Sequence, residues 1–317
     1  MLKKISIILV MVMCLVIGFN GLVFADSYPD KSIKWIVVWR AGGGADTATR
    51  IYTKYLESVL GVNNNVVNIV GGATSVGFTE AKNAKPDGYT LVCAQGDLPK
   101  FKSQMTASLR VSDFDIIGSF AYQSPIFVCR SDAPWNNVSE FVKDAQARPG
   151  ELTIGISNIG GTYHQPMLLW QEMAGFEAKA IVLESSPKQA AALLGGHVDA
   201  IITWVRPCIP YIEEGQFKFL GYMGSERHAN YPDVPTFTES GYDIVWEHPY
   251  GVAGPKGLPE EVKAVLSEAN EKVWDIPEFK EEMGKLGLLI YKKDGKEYKE
   301  HLEKMEDDMA KANSLIK

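Results

Sequence analysis

Short apolar runs alternate with amphipathic segments along most of the chain, and this alternation constrains the fold more than any other feature. The apolar runs have strand length and the segments between them have helical periodicity, a pattern typical of βαβ units. The pattern predicts an α/β protein with mostly parallel sheets. The strand candidates are WIVVW (35–39), NVVNIV (65–70), YTLVCA (89–94), LTIGIS (152–157), KAIVLE (179–184), VDAIITW (198–204) and FKFLGYM (217–223).

The first helix candidate follows the first strand candidate. Apolar residues at 51, 52, 55, 56 and 59 form a stripe that packs on a sheet. Gly61 follows Leu60 and predicts a glycine C-cap, so the helix should end there.

The strand, glycine loop and helix unit occurs twice, which predicts two lobes. WIVVWRAGGGADTATR begins the first unit and LTIGISNIGGTYHQPMLLW begins the second. Two long apolar stretches then cross between lobes, with hinges near 123–127 and 246–250. We expect residues 26–124 and 249–317 to form lobe 1 and residues 125–248 to form lobe 2. The charged, helix-prone segment 260–317 should close lobe 1.

The first 25 residues have the pattern of an export signal. Lys3 and Lys4 precede an almost unbroken apolar run over 5–17, and Val23-Phe24-Ala25 supplies small residues at the cleavage positions. That run is shorter than the roughly 20 residues of a bilayer span. We therefore expect residues 1–25 to be a signal peptide and the mature protein to lie in the periplasm or on the outer face of the cytoplasmic membrane.

Charge and cysteine usage narrow the function classes. The formal net charge is −7 and becomes −9 once Lys3 and Lys4 are removed, which argues against nucleic acid or an anionic membrane as partner. Cys93, Cys129 and Cys208 lie far apart in apolar contexts, so buried free thiols are expected. The histidines, cysteines and acids show no metal-ligand spacing, and we predict neither a metal nor a cofactor.

Three glycine-containing loops precede helix candidates. A helix N-terminus exposes backbone amides without internal partners and carries partial positive charge, and adjacent glycines let a ligand approach closely. The loops at 40–46, 71–75 and 157–162 are therefore anion cradles by this reasoning. If they lie at the carboxyl ends of parallel strands, they face one crevice. A small anion held between lobes is the expected ligand.

Several side chains beside these loops have two interpretations. Trp39 and Trp204 end strand candidates, where they either pack in the core or wall a cleft. Arg40 and Arg206 have the same placement and are candidate partners of the anion. Asp46 is expected to be an N-cap rather than a ligand contact. His164, one turn into a helix candidate, is either a packed histidine or a ligand contact.

Six sequence blocks resemble, in the same order, those of the tripartite tricarboxylate transporter receptor family, also called the Bug family of extracytoplasmic solute-binding proteins. The most specific are AKPDGYTL (84–91) and YPDVPTFTESG (231–241), and the resemblance covers essentially the whole mature chain. It implies a two-lobed, type II-like periplasmic binding protein with a ligand cleft between lobes. It also implies a monomer, no enzymatic activity, and delivery of a small carboxylate to a permease of one large and one small subunit.

The resemblance also implies which residues bind the ligand, mostly through backbone amides. They are Ala41, Gly42, Gly43, Gly44, Thr74, Ser75, Ser157, Asn158, Gly160, Gly161, Thr162 and His164.

This chain departs from the family pattern at three places. Val38-Trp39-Arg40 replaces Pro-Phe-Pro, Leu183-Glu184-Ser185-Ser186 replaces Pro-Tyr-Lys-Gly, and Trp204 and Arg206 stand where small polar residues are commoner. We therefore add Trp39, Arg40, Ser185, Trp204 and Arg206 to the candidate ligand contacts. Two guanidinium groups and two indoles suit an aromatic or multiply charged carboxylate.

Two other functions remain open from the sequence. The first is a sensor that passes its closed state to a membrane kinase. The second is a secreted hydrolase, since ATSVG at 73–77 is one residue from a G-x-S-x-G elbow, with Ser75 as nucleophile and His197 or His228 as base.

Overall fold

The computed structural model of the chain describes residues 28–104 and 108–316. The predicted signal peptide lies outside these residues. The described strands form one sheet of six strands and one of five, flanked by helices. The predicted α/β class with two lobes is confirmed.

The first sheet combines strands from both ends of the described chain. Its strands are β1 (Ile33–Val37), β2 (Asn64–Asn68), β3 (Thr90–Gln95), β4 (Phe114–Gln123), β10 (His248–Pro255) and β11 (Leu289–Ile290). Their order is β11-β4-β10-β3-β1-β2. β1, β2 and β3 are parallel, whereas β10 runs antiparallel between β3 and β4.

The second sheet comes from the middle of the chain. Its strands are β5 (Ile126–Arg130), β6 (Thr153–Ile156), β7 (Lys179–Val182), β8 (Ala200–Thr203) and β9 (Phe217–Tyr222), in the order β7-β6-β8-β5-β9. β6, β7 and β8 are parallel, and β5 runs antiparallel to β8 and β9. Both sheets are therefore mixed. In the first, β10 and the edge strand β11 run antiparallel to the other four strands, and in the second only β5 does.

Helices cover the sheets, and short 3-10 turns occur at 72–74, 111–113 and 206–208. The helices are α1 (Gly44–Leu60), α2 (Ser75–Lys82), α3 (Phe101–Gln104), α4 (Val138–Ala147), α5 (His164–Ala174), α6 (Ser186–Leu194), α7 (Ile209–Glu213), α8 (Glu260–Trp274), α9 (Pro277–Lys285) and α10 (Gly295–Ser314).

The strand directions bring the loop-bearing edges of the two sheets face to face. β4 ends in the first sheet at Gln123 and β5 begins in the second at Ile126, so two residues join the sheets. Such a connection spans roughly 11 Å at most. β4 is parallel to β3, and β5 begins at the edge where β8 ends, because β5 and β8 are antiparallel. The carboxyl ends of the parallel strands of both sheets therefore meet at this junction.

The return path lies beside the first crossing. The Trp246 N–H donates to the Met223 carbonyl (2.7 Å), and the Met223 N–H donates to the Pro125 carbonyl (3.0 Å). Met223, which directly follows β9, thus links the two crossing segments. The predicted division at 124/125 and 248/249 stays a prediction, and these segments are where the chain changes sheets.

Aromatic side chains fill both cores. On the first sheet, Tyr52 of α1 stacks on Phe120 of β4 with ring centroids 4.2 Å apart. On the second, Trp170 of α5 packs edge-on against Phe127 of β5 at 5.0 Å. All four side chains are buried, and each such burial contributes about 1.5–3 kcal/mol. These contacts hold α1 and α5, which follow the first and third glycine loops.

The C-terminal helix, α10, contacts the first sheet and also a helix that covers the second sheet. Tyr298 and Leu302 of α10 are fully buried, and the Tyr298 hydroxyl donates to the Ala94 carbonyl of β3 (2.6 Å). Near its other end, the Gln165 amide of α5 donates to Asn313 (3.2 Å). The prediction that segment 260–317 closes lobe 1 therefore describes only part of its contacts, since α10 also reaches α5.

All seven strand candidates are strands, with ends shifted by one or two residues. The first helix ends where its pattern predicts, because Gly61 adopts φ +72° and its N–H donates to the Glu57 carbonyl (2.9 Å). Cys93, Cys129 and Cys208 are buried free thiols, as predicted. Within the described ranges, no helix combines the length and apolar character needed to cross a bilayer.

Candidate functional site

The first glycine loop lies exposed between β1 and α1. Helix α1 begins at Gly44, and its N-cap is Gly43 in an extended conformation. The Gly43 N–H donates to the Arg40 carbonyl (3.2 Å), and the Gly42 N–H donates to Asp46 Oδ2 (2.9 Å). These two predicted amides are therefore occupied within the loop. The N-terminal amides of α1, beginning with Gly44, have no acceptor within the helix and point out of its end.

Asp46 braces this loop instead of capping the helix, so its assignment as N-cap is wrong. Its carboxylate accepts hydrogen bonds from Gly42, from the Arg50 guanidinium (3.0 Å) and from Asn68 Nδ2 (2.8 Å). Burial would raise the pKa of Asp46, but the bonds from Arg50, Gly42 and Asn68 hold it below its ordinary value. The carboxylate stays ionised and its charge is compensated, so the helix N-terminus keeps its attraction for an anion.

The loop after β2 has an unusual backbone. Gly71, Gly72, Ala73 and Thr74 all have positive φ angles, of 135°, 52°, 50° and 83°. Residues with side chains rarely adopt this region, and such strain concentrates at ligand-binding positions. Thr74 is buried, and its Oγ1 has no hydrogen-bond partner among the described residues. Ser75 begins α2 next to it.

In the second sheet, the loop after β6 is closed by its own side chains. Ser157 Oγ donates to Asn158 Oδ1 (2.8 Å), and the Gly161 N–H donates to the Asn158 carbonyl (3.3 Å). Thr162 is half-buried at the start of α5. The Gly160 N–H donates to His164 Nδ1 (3.0 Å).

His164 therefore shapes this loop through a ring nitrogen. The residue is 6% exposed, and burial lowers its pKa. Because Nδ1 accepts the Gly160 N–H, the imidazole is neutral with its proton on Nε2. His164 fixes the loop, and whether it also contacts a ligand stays a prediction.

The loops after β7 and β8 approach the same place. Ser185 is the N-cap residue of α6, and the neighbouring Ser186 hydroxyl is hydrogen-bonded to the Tyr163 hydroxyl (2.8 Å). Trp204 packs edge-on against Tyr163 at 5.0 Å. On its other side Trp204 lies 5.7 Å from the ring of His248, at the start of β10 in the first sheet. Trp204 is thus a contact between the two sheets.

An acidic side chain joins the first loop to the end of β3. The indole N–H of Trp39 donates to Asp97 Oδ2 (2.9 Å), and Lys100 donates to Asp97 Oδ1 (3.1 Å). Burial opposes ionisation, but the Lys100 ammonium and the Trp39 hydrogen bond lower the pKa of Asp97. Trp39 remains 42% exposed, so its ring face is available at the rim of the junction.

Gln95, Tyr250 and His248 are three polar residues on one face of the first sheet at the junction, and we call them the floor. Gln95 ends β3 directly opposite Tyr250 of β10, and His248 lies two residues before Tyr250 on the same face. Gln95 and His248 are 1% and 8% exposed. The side-chain amide of Gln95 and Nδ1 of His248 have no hydrogen-bond partner among the described residues.

These floor residues were missed by sequence reasoning. A polar residue directly after a strand candidate is the signal that singled out Arg40, and YTLVCAQGD carries the same signal at Gln95 and Asp97. His248 gives no comparable signal, because its strand begins within the stretch interpreted as a crossing segment. Its position next to Gln95 follows from the pairing of β10 with β3.

The two arginines are exposed. Arg40 is exposed at the turn of the first loop. Arg206 is exposed beside a cavity of about 400 Å³ that is also lined by Pro187, Ala190, Pro207 and Tyr211. Their roles as ligand contacts stay predictions.

The hydrolase interpretation gains no support from the histidines. His228 packs against Tyr222 and Tyr231 of the second sheet's layer, and its Nδ1 accepts the Asn230 N–H (3.2 Å). His197 is exposed in the turn before β8, at the edge opposite the junction. Among the described residues, no hydrogen bond joins Ser75 to either ring.

Comparisons with known proteins agree with this architecture. A family model described as the tripartite tricarboxylate transporter family receptor matches residues 49–317. A Cupriavidus necator protein called "UPF0065 protein in gbd 5'region" is 30% identical over 280 residues, covering 86% of this chain and 84% of that protein. Protein BugT of Bordetella pertussis is 26% identical, covering 79% and 78% of the two chains.

Solved structures share the fold. A TctC solute binding protein from Polaromonas superposes with a TM-score of 0.86 at 27% identity, covering 91% of this chain and 100% of that one. MatC from Rhodopseudomonas palustris, solved with bound malate, has a TM-score of 0.69 at 22% identity, covering 90% of this chain and 99% of that one. The match of the family model over most of the chain decides the assignment. This chain belongs to the tripartite tricarboxylate transporter receptor family.

Proposed function

We propose that this protein is an extracytoplasmic solute-binding receptor that captures a small carboxylate between its two lobes. It delivers the ligand to the large and small membrane subunits of a tripartite tricarboxylate-type transporter. It works as an exported monomer in the periplasm or on the outer face of the cytoplasmic membrane. The family membership supports the receptor role, and the bound malate of MatC supports a carboxylate as the ligand class.

The convergence of helix N-termini on one junction is the observation that carries the proposal. α1, α2, α5 and α6 all begin at the carboxyl ends of parallel strands, and those ends meet where the chain crosses between sheets. Each N-terminus contributes about 0.3–2 kcal/mol towards binding an anion. A micromolar ligand needs about 8 kcal/mol, so several termini must act together. Binding would close the lobes about the paired crossing segments.

A backbone substitution tests the cradle. Gly44 is the first residue of α1, where proline is tolerated, and Gly43 before it is extended, as a residue before proline must be. Gly44→Pro removes one outward-pointing N–H, whereas Gly44→Ala keeps it. A hydrogen bond to a charged group contributes about 1.5–3 kcal/mol, so we expect the proline variant to bind at least tenfold more weakly than the alanine variant.

Isothermal titration calorimetry of residues 26–317 measures this difference with malate, succinate, citrate and adipate. Circular dichroism confirms that both variants fold. Equal affinities of the proline and alanine variants would remove the α1 amide from the site. If none of the four acids binds the unaltered protein, the assignment of a carboxylate ligand is wrong.

A further inference from the structure

The side chain of Gln95 is a buried amide without a hydrogen-bond partner in the described part of the chain. The residue is 1% exposed, and neither Nε2 nor Oε1 is hydrogen-bonded to any described residue. A buried polar group left unpaired destabilises the folded protein, so such groups usually serve a ligand or a bound water. Gln95 lies at the end of β3, at the junction of the two sheets. Its donor and its acceptor are both unused.

His248 offers a second unused polar atom on the same face. Its ring is so close to the chain after Gln95 that a Cβ on Gly96 would lie 2.5 Å from Nδ1. Burial lowers the pKa of His248 and outweighs the opposing effect of Asp97. The imidazole is therefore neutral near pH 7, and Nδ1 has no partner among the described residues.

The other polar groups around these two are already paired. Asp97 accepts from Trp39 and Lys100, and the Tyr250 hydroxyl accepts from the Gln123 amide (2.9 Å). Gln95 and His248 thus remain as neutral hydrogen-bonding groups, with the Asp97 charge nearby.

We infer that Gln95 and His248 form a subsite for a hydroxyl group on the carboxylate ligand, so that the protein prefers hydroxy acids over the corresponding unsubstituted acids. This inference rests on the proposed function. The anionic ends of the ligand occupy the helix N-termini, and its hydroxyl reaches the floor.

The chemistry of the subsite favours a hydroxyl over other groups. A hydroxyl donates one hydrogen bond and accepts others, so it satisfies both the oxygen and the nitrogen of the Gln95 amide. A carboxylate or a ketone only accepts, and would leave the Gln95 oxygen unpaired. A carboxylate would also lie close to ionised Asp97. A methylene would leave both Gln95 atoms and His248 Nδ1 unpaired, which sites of this kind penalise strongly.

Matched ligand pairs test the inference. We compare malate with succinate, citrate with tricarballylate, and lactate with propanoate by isothermal titration calorimetry, using both enantiomers of malate and lactate. In the pair that binds most tightly, we expect the hydroxylated acid to bind at least tenfold more tightly. Gln95→Met, which keeps the volume and removes the amide, should reduce that ratio to less than about threefold.

Gln216→Met is the control for this substitution. Gln216 also has a buried side-chain oxygen with no partner within residues 28–104 and 108–316, but it precedes β9 at the edge of the second sheet away from the junction. The ratio should stay at least tenfold in this variant. If Gln95→Met does not fold by circular dichroism, His248→Phe provides the same comparison.

The outcomes separate the inference from the proposed function. Equal affinities within each pair, with binding retained, would show that the floor holds only water and would overturn the inference alone. A ratio that survives both Gln95→Met and His248→Phe would place the hydroxyl elsewhere and overturn it as well. Failure of every acid to bind would overturn the proposed function and the inference together.

Discussion

At the scale of single residues, burial lowers the pKa of four histidines and holds their rings neutral. His164 is the clearest case, because its Nδ1 accepts the Gly160 N–H that closes the loop after β6. Protonation would turn this acceptor into a donor facing another donor. Burial also lowers the pKa of His228, His248 and His301, the last to about 4. Each of these rings favours the folded state only while neutral.

This gives a pH prediction for His164. Its pKa in the folded state lies below the unfolded value of about 6.5, so its contribution to stability is complete above pH 6.5 and is lost as the pH falls towards the folded pKa. His164→Asn supplies an oxygen acceptor that does not titrate. The melting temperature of the unaltered protein should therefore fall further between pH 7.5 and pH 5 than that of the variant. A difference between the two proteins that is the same at every pH would contradict this.

At the scale of elements, α10 links the two layers. Asn313 accepts from Gln165 of α5 and donates to Ser103 Oγ (2.8 Å) of α3 in the first sheet's layer. Lys311 forms an ion pair with Glu172 of α5 at 2.9 Å, but both side chains are well exposed. The first contact is half-buried and the second is screened by water.

The two contacts should therefore differ in energy. Asn313→Ala removes two hydrogen bonds of about 1 kcal/mol each and should lower the free energy of unfolding by about 1–2 kcal/mol. Lys311→Ala removes a contact between the same two helices, α10 and α5. It should change the free energy of unfolding by less than about 0.5 kcal/mol. Urea denaturation measures both values. If the lysine variant were the less stable of the two, the link would be electrostatic.

The elements also show what the sequence could and could not predict. The strands β1, β2, β3 and β6 to β9 are short apolar runs bounded by turn residues, which a local pattern identifies. β4 and β10 are buried on both faces, so their continuous apolar runs resemble crossing segments. The glycine loops were predictable because their signal is local. The floor was not, because Gln95 meets His248 only through a strand that returns about 150 residues later.

At the scale of the whole molecule, a buried carboxylate lies where the halves join. Glu247 is 4% exposed in the returning segment, between Trp246 and the start of β10. Its carboxylate accepts hydrogen bonds from Ser225, which follows β9 of the second sheet, and from the Tyr291 hydroxyl, which follows β11 of the first. One side chain thus ties the two sheets together at the proposed hinge.

Removing one of these bonds should loosen the junction. Tyr291→Phe leaves the ring in place but takes one donor from a buried carboxylate, so the free energy of unfolding should fall by about 1.5–3 kcal/mol. Tyr122 provides the control. Its ring packs on the ring of Tyr291 with centroids 4.6 Å apart, but the hydroxyl that donates to Glu247 is that of Tyr291. Tyr122→Phe should change stability by less than about 0.5 kcal/mol.

Hydrogen exchange locates the effect within the molecule. The Trp246 backbone N–H bonds the returning segment to Met223, which is itself bonded to the first crossing, so its exchange should accelerate in Tyr291→Phe more than the exchange of amides in the centre of β1 or β6. A uniform acceleration across both sheets would mean that Glu247 supports the fold as a whole. Faster exchange confined to the crossing segments would mean that the carboxylate controls how readily the two halves move, which is the property that a receptor closing on its ligand requires.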